Sequence, residues 1–187
     1  MIPIVTASAL VSFIVILVLI PAPAPSVAAG TEGLPSWATP GADVVYSGKI
    51  DVDSTILRLT YEVRVLAVNS TKAEVLSMQN MTIGVGAPIT DENVAWVKPG
   101  TNDGSTFFFA ASGAAAGQYS TTHAVQGKTI PVTADSLQMQ TPNGLMLVTT
   151  YFDSPTGLPV AIDLTMGSYP TFDLQVVSTN IPGLLPP

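Results

Sequence analysis

The stretch from Thr55 to Val68 alternates apolar and polar side chains, and this alternation constrains the fold more than any other feature of the chain. Leucine, tyrosine and valine fall on one side, whereas arginine, threonine and glutamate fall on the other. A period of two residues is typical of a β-strand with one buried and one wet face. Because the strands of parallel sheets are buried on both faces, the pattern predicts a long strand in an antiparallel sheet.

Further β-prone runs follow along the chain, separated by turn residues. They are Val44–Ile50, Lys72–Ile83, Thr106–Ala111, Tyr119–Val125, Lys128–Ala134, Ser136–Gln140, Leu145–Phe152, Leu158–Met166 and Phe172–Thr179. Two turns are clearly marked, at Pro142-Asn143-Gly144 and from Asp153 to Gly157. The sequence therefore predicts an all-β fold, an antiparallel β-sandwich or a large curved sheet, preceded by an N-terminal hydrophobic segment.

That N-terminal segment carries no charged side chain before Glu32, and Ala7 to Ile20 is almost wholly aliphatic. Small residues after the aliphatic run favour an export signal cleaved near Ala28 or Ala29. No Lys or Arg precedes the run, so retention as a membrane anchor is the alternative. We interpret 1–28 as a signal peptide or membrane anchor, 29–41 as a Gly/Pro-rich linker, and 42–187 as a single β-rich extracytoplasmic domain.

The charge balance limits the partners of the exported part. Six Lys and Arg stand against thirteen Asp and Glu, which gives a net charge of −7 that lies entirely after Thr31. Nucleic acid is excluded as a favoured partner, and contact with a membrane is expected only through the N-terminal segment if it is retained. The chain has no cysteine, which excludes thiol nucleophiles, thiolate metal sites and disulfides.

Two sequons are candidate modification sites. Asn69-Ser70-Thr71 and Asn80-Met81-Thr82 both match the acceptor pattern for N-glycosylation. Asn69 falls in a predicted hairpin turn, which a transferase could reach, whereas Asn80 falls in a predicted strand. We therefore predict glycosylation at Asn69, and at Asn80 with a weaker argument.

No residue set points to catalysis, to a cofactor or to a metal. His123 is the sole histidine and is interpreted as structural or surface-exposed, because a hydrolase triad needs a positioned base, acid and nucleophile. Three short oxygen-rich loops begin at Asp51, Asp91 and Asn102, but none completes a calcium-binding loop. Phe107 to Phe109 are consecutive, so burial on both faces of a sheet is expected there. We assign no catalytic, cofactor-binding or metal-ligating residue.

The signal-like start, the sequons, the cysteine-free domain and the motif from Tyr151 to Leu158 resemble secreted β-rich cell-surface proteins of archaea. The aromatic-x-Asp-x-x-Thr-Gly-hydrophobic hairpin is similar to one in exported proteins built on a large antiparallel sheet, including lipoprotein carriers. The whole chain also resembles glycosylated subunits of archaeal thread-type filaments. That resemblance implies a β-domain completed by a strand donated from a neighbouring subunit.

The sequence thus predicts a non-enzymatic structural or adhesive protein of the cell surface, such as a self-assembling, pilus-like filament subunit. Its expected partners are further copies of itself or other cell-surface proteins. The alternative is an exported or membrane-anchored ligand-binding domain that carries or senses a lipid or another apolar ligand. An exported hydrolase of unusual chemistry is a third and weaker interpretation, because the acids are scattered along the sequence.

Overall fold

The computed structural model describes residues 34–52, 55–97, 119–141, 144–167 and 170–185. Nine strands are present in these residues: β1 (Asp43–Val52), β2 (Thr55–Val68), β3 (Ala73–Ile83), β4 (Ile89–Val97), β5 (Tyr119–Val125), β6 (Lys128–Thr141), β7 (Gly144–Asp153), β8 (Pro159–Met166) and β9 (Phe172–Thr179). None of the described residues lies in a helix, and none belongs to a helix long and apolar enough to span a membrane.

All nine strands belong to one antiparallel sheet with the order β4-β3-β2-β1-β9-β8-β7-β6-β5. The prediction of an all-β fold is confirmed, and of its two forms the structure has the single large sheet. The chain runs from β4 to β5 through residues 98–118, so it passes from one edge strand to the other. β1 and β9 meet at the centre of the sheet and join the two sequential groups of strands.

One side of the sheet is apolar across six strands, as the alternation in β2 predicts. We call it the apolar face. Its buried residues are Val44, Tyr46, Ile50, Leu57, Leu59, Val63, Val65, Ala73, Val75, Met81, Met146, Val148, Val160, Ile162, Leu164, Met166, Phe172, Leu174 and Val176. The other side of β2 presents Arg58, Thr60 and Arg64 to solvent. Burial of these apolar side chains is the main force that holds the sheet together.

The sheet curls strongly at the end that carries β5 and β6. Gln126, in the turn between those strands, donates from its Nε2 to the main-chain oxygen of Val176 in β9 at 3.0 Å. Its main-chain N–H also donates to Oε1 of Gln175 at 3.3 Å. Three strands separate β5 from β9 in the sheet order. The β5–β6 hairpin is therefore folded over the side opposite the apolar face, where Ile130 and Val132 are buried.

Segments outside the strands close one end of the sheet. Indole Nε1 of Trp37 donates to the main-chain oxygen of Thr156 at 3.0 Å, and Ala38 and Ala42 are buried. Ile181 and Leu184, which follow β9, are also buried in the core. Residues that precede β1 and residues that follow β9 thus belong to the same core.

The predicted strands agree with the observed ones at most positions, with two corrections. The separate runs Lys128–Ala134 and Ser136–Gln140 form one continuous strand, β6. β4 was not predicted, and Asp91-Glu92-Asn93 lie within that strand and not in a loop. Thr106–Ala111 and Pro142-Asn143 lie outside the described residues, as do the predicted signal peptide and its cleavage positions Ala28 and Ala29.

Candidate functional site

Three side chains that are far apart in the sequence converge on the side opposite the apolar face. We call them the His–Asp cluster: His123 from β5, Asp163 from β8 and Asp173 from β9. One nitrogen of His123 and one oxygen of each carboxylate all lie within 4.8 Å of one another. Asp163 and Asp173 are direct cross-strand partners, so their side chains project from the same side of the sheet.

The folded β5–β6 hairpin brings His123 to the two aspartates. Ala134 in β6 pairs with Tyr119 in β5 and, on its other side, with Tyr151 in β7. His123 lies four residues after Tyr119 along β5. In a flat sheet this offset would separate the rings of His123 and Tyr151 along the strands. Their centroids are instead 3.8 Å apart, with an angle of 18° between the ring planes. The contact shows how far the hairpin bends toward β7, β8 and β9.

Two neighbouring side chains fix the orientation of the carboxylates. The hydroxyl of Tyr151 donates to Oδ2 of Asp163 at 3.0 Å, while the same tyrosine stacks on His123. Amide Nε2 of Gln175 donates to Oδ2 of Asp173 at 2.5 Å. Burial, and secondarily the negative charge of Asp163 and the hydrogen bond to it, raises the pKa of Tyr151 to about 12. Tyr151 is therefore a neutral hydrogen-bond donor at physiological pH.

Two polar atoms of the cluster are buried without a hydrogen-bond partner among the described residues. They are Nε2 of His123 and Oδ1 of Asp173. Burial raises the pKa of the Asp173 carboxyl, and Asp163 raises it as well, whereas Gln175 and His123 lower it. Buried polar atoms without partners are rare in folded proteins, so each of these two atoms requires an explanation.

The chemistry of this cluster is that of a ligand set. An imidazole nitrogen and two carboxylate oxygens are donors for a divalent cation. From the sequence alone, His123 is expected to be structural or surface-exposed, and neither aspartate stands out as a ligand. A signal was nonetheless present at Asp163, which interrupts the mostly apolar strand β8, whereas Asp173 stands at an ordinary polar position of the alternating strand β9. Their proximity depends on the pairing of β8 with β9, which the sequence alone does not provide.

A second candidate surface is the edge strand β4. The side chains of Ile89, Val94 and Trp96 are 56%, 49% and 45% exposed. β4 pairs only with β3 in the part of the chain that the structure describes. An unpaired edge with exposed apolar side chains is a site at which another strand could add.

The two sequons occupy different settings. Asn69 is exposed in the β2–β3 turn, where its Oδ1 accepts hydrogen bonds from the main-chain N–H groups of Thr71 at 2.9 Å and Lys72 at 2.8 Å. Asn80 is exposed within β3. Of the candidate calcium loops, Asp51 lies in β1, and Asn102 falls outside the described residues, as do Phe107 to Phe109.

No protein-family model and no curated protein matches the chain. Among solved structures, the chain is similar to the crystal structure of an outer membrane lipoprotein-sorting protein domain from Vibrio parahaemolyticus. The similarity has 9% sequence identity and a TM-score of 0.27, and it covers 81% of this chain and 88% of that chain. Similarity at this level identifies neither a shared fold nor a shared function.

Proposed function

We propose that this protein is an exported or membrane-anchored binding domain whose curved sheet carries or senses an apolar ligand such as a lipid. The proposal combines the charge-free, aliphatic N-terminal segment, which favours export, with the apolar face. It is a binding function and requires no catalytic residue.

The observation that carries the proposal is the extent of the apolar face. This face runs without a charged residue through β1, β2, β8 and β9 at the centre of the sheet. A domain normally packs such a face against a second layer of helix or sheet. The described residues contain no second layer.

The burial of the apolar face determines how a ligand could reach it. Leu57, Val63 and Leu164 are almost fully buried. A ligand therefore has to displace whatever packs on the face, and it does not enter an open cavity. Exchange of one apolar contact for another leaves the hydrophobic contribution largely unchanged, which makes such a displacement feasible.

The hairpin between β7 and β8 gives a second, weaker argument. Asp153, Thr156 and Gly157 form a closed turn: Gly157 N–H donates to the main-chain oxygen of Asp153 at 2.8 Å, and Thr156 N–H donates to Asp153 Oδ2 at 2.9 Å. These are the residues of the motif that resembles exported sheet proteins, including lipoprotein carriers. The motif has a structural role here, and only its resemblance connects it with lipid binding.

Native mass spectrometry of the full chain purified from membranes tests the proposal directly. We expect an apolar adduct at about one per chain, which extraction with organic solvent removes. The extracted protein should then bind a fluorescent long-chain fatty acid and release it to an unlabelled one. A chain that carries no adduct and binds no fatty acid after extraction would contradict the proposal.

A matched pair of variants locates the binding surface. Leu59→Lys places a charge on the apolar face, whereas Thr60→Lys places the same charge on the opposite side of the same strand. We expect at least tenfold weaker fatty-acid binding in Leu59→Lys and no change in Thr60→Lys. If Leu59→Lys fails to fold, Met81→Ala is the substitute, because Met81 is the cross-strand neighbour of Leu59.

The exposed β4 edge favours a second candidate function, a structural subunit that assembles by strand addition. A donated strand would pair with β4 and cover Ile89, Val94 and Trp96. This candidate predicts self-association of the full chain in solution, and filaments on native cell surfaces. Partners in that case are further copies of this chain or other cell-surface proteins.

Light scattering after size exclusion tests the second candidate. Val94→Lys charges the edge strand, and Leu66→Lys is the control because Leu66 is similarly exposed but lies on β2, away from the edge. Strand addition predicts that Val94→Lys dissociates the assembly and that Leu66→Lys does not. A wild-type chain that stays monomeric at high concentration would remove this candidate and leave the ligand-binding proposal intact.

A further inference from the structure

We propose that the His–Asp cluster binds one divalent transition-metal ion, for which Zn²⁺ is the best fit. The ligands are Nε2 of His123 and one oxygen each of Asp163 and Asp173. The inference concerns the side of the sheet opposite the apolar face, and it is independent of lipid binding or strand addition.

The distances within the cluster are close to those of a zinc site. Zinc–nitrogen and zinc–oxygen bonds of about 2.0–2.2 Å in a tetrahedron place ligand atoms roughly 3.4 Å apart. One imidazole nitrogen of His123 and one carboxylate oxygen of each aspartate already lie within 4.8 Å of one another. Side-chain rotations of His123, Asp163 and Asp173 would have to close the remaining gap. A fourth coordination position remains for water or another small ligand, as in zinc sites with three protein ligands.

The hydrogen bonds around the cluster leave the right atoms free. Tyr151 and Gln175 each occupy Oδ2 of one aspartate. Oδ1 of Asp173 and Nε2 of His123 are the buried atoms that have no partner among the described residues. A metal ion would satisfy both at once. Outer groups that hold metal-binding carboxylates in position are a general feature of metal sites.

The charges of the cluster also favour a cation. Two aspartates stand directly opposite each other, and like charges in such a pair repel. Lys49, the β1 partner of Asp173, is exposed and forms no ion pair with it within 4.0 Å. A divalent ion would neutralise both carboxylates where the nearby lysine does not.

The donor set selects the type of ion. Imidazole is a good ligand for zinc and for neighbouring transition metals, whereas Ca²⁺ prefers six to eight oxygen ligands and Mg²⁺ prefers oxygen ligands and water. The cluster provides one imidazole and two carboxylates. We therefore expect preference for Zn²⁺ over both Ca²⁺ and Mg²⁺.

Isothermal titration calorimetry of the untagged full chain, after treatment with a chelator, tests the site with Zn²⁺ alone. We expect one Zn²⁺ per chain, and at least a hundredfold loss of affinity in Asp163→Asn and in Asp173→Asn. Tyr151→Phe should weaken binding about tenfold, because it removes an outer hydrogen bond and keeps the ligands. Asp91→Asn, the same chemical change at the exposed edge strand, should bind as the wild type does.

A readout on the wild-type chain makes the test independent of variant folding. His123 is the only histidine in the sequence, so its imidazole gives a single set of NMR signals. Those signals should shift on addition of one equivalent of Zn²⁺ and remain unchanged with Ca²⁺. Unshifted signals, or equal zinc affinity in the wild type and the Asp163→Asn/Asp173→Asn double variant, would overturn the proposal.

Discussion

The strands before residue 98 (the first group, β1 to β4) and those after residue 118 (the second group, β5 to β9) belong to one sheet, yet they differ in whether their charged residues are exposed or buried. In β1 to β4 the charged side chains of Arg58, Arg64 and Glu92 are exposed, and β2 alternates regularly between its buried and exposed sides. In β6 to β9 the side chains of Asp135, on the apolar face, and of Asp153, on the opposite side, are buried, and β7 and β8 bury residues on both sides.

The difference follows from curvature. β2 in the first group has one covered side and one wet side, so a simple period of two describes it. In the second group the β5–β6 hairpin folds over the other side, which removes that side from water as well. A polar residue in this part of the sheet must find a partner within the protein. Asp153 has done so in its turn, whereas His123 and Asp173 retain buried atoms with no described partner.

The largest effect should come from the apolar face of the second group. Leu164→Ala removes a side chain that is 2% exposed and should lower the free energy of unfolding by about 3 kcal/mol. Leu66→Ala, on the exposed side of β2 opposite the apolar face, should change the free energy of unfolding by less than about 0.5 kcal/mol. Urea denaturation of both variants measures the contrast. Similar losses of stability in the two variants would mean that the side of β2 opposite the apolar face is packed in solution.

Carboxylates should differ between the two groups in the same way. Asp153→Ala removes the acceptor for Thr156 N–H at 2.9 Å and for the Thr156 hydroxyl at 2.6 Å, at a residue that is 5% exposed. A loss of about 2 kcal/mol is expected, because hydrogen bonds to a buried charged group are stronger than neutral ones. Asp91→Ala on the exposed edge should leave stability within about 0.5 kcal/mol of the wild type. Thermal denaturation at pH 7 distinguishes the two.

Tyr46 joins the two groups, since its hydroxyl, carried by β1, donates to the main-chain oxygen of Pro159 in β8 at 3.0 Å. Tyr46→Phe should cost about 1 kcal/mol at neutral pH through loss of this buried hydrogen bond. Burial, and secondarily Tyr61, raises the pKa of Tyr46 above its ordinary value of 10.0.

The raised pKa of Tyr46 determines how stability changes with pH under alkaline conditions. Unfolding above pH 10 ionises Tyr46, so the wild type loses stability there as pH rises. The phenylalanine variant lacks this contribution, and the difference between the two proteins should narrow above pH 10. Chemical denaturation from pH 8 to 11 measures it, with exposed Tyr119→Phe as the control. A difference that stays constant with pH would show that Tyr46 is not buried in solution.

The smallest effect is expected at the β2–β3 turn of the first group. Asn69→Ala removes the acceptor for two main-chain N–H groups, but water can replace it at this exposed position. We expect a loss of about 0.5 kcal/mol, against no measurable loss for Asn80→Ala. Glycopeptide mass spectrometry of native protein tests the sequons separately, and modification at Asn69 is expected before modification at Asn80.

In both groups, the sequence predicts a strand or a turn wherever the residues concerned form a local pattern. The alternation in β2 reports its buried side directly, and the Asp153–Gly157 turn is set by local preferences for turn geometry. β4 was missed because its exposed, mixed residues give no alternation. The His–Asp cluster was missed because it depends on two non-local events, the pairing of β8 with β9 and the folding of the hairpin. Neither leaves a local pattern in the residues concerned.

The pairing of β1 with β9 at the centre of the sheet has a mechanical consequence. Val44 pairs with Thr179, so the start of β1 and the end of β9 lie side by side, and Asn180 binds Gly41 and Asp43 just beyond them. A pulling force applied between residues 41 and 181 would open this pair from one end, breaking hydrogen bonds in succession and not together. The domain should therefore yield at low force when it is stretched through these two points.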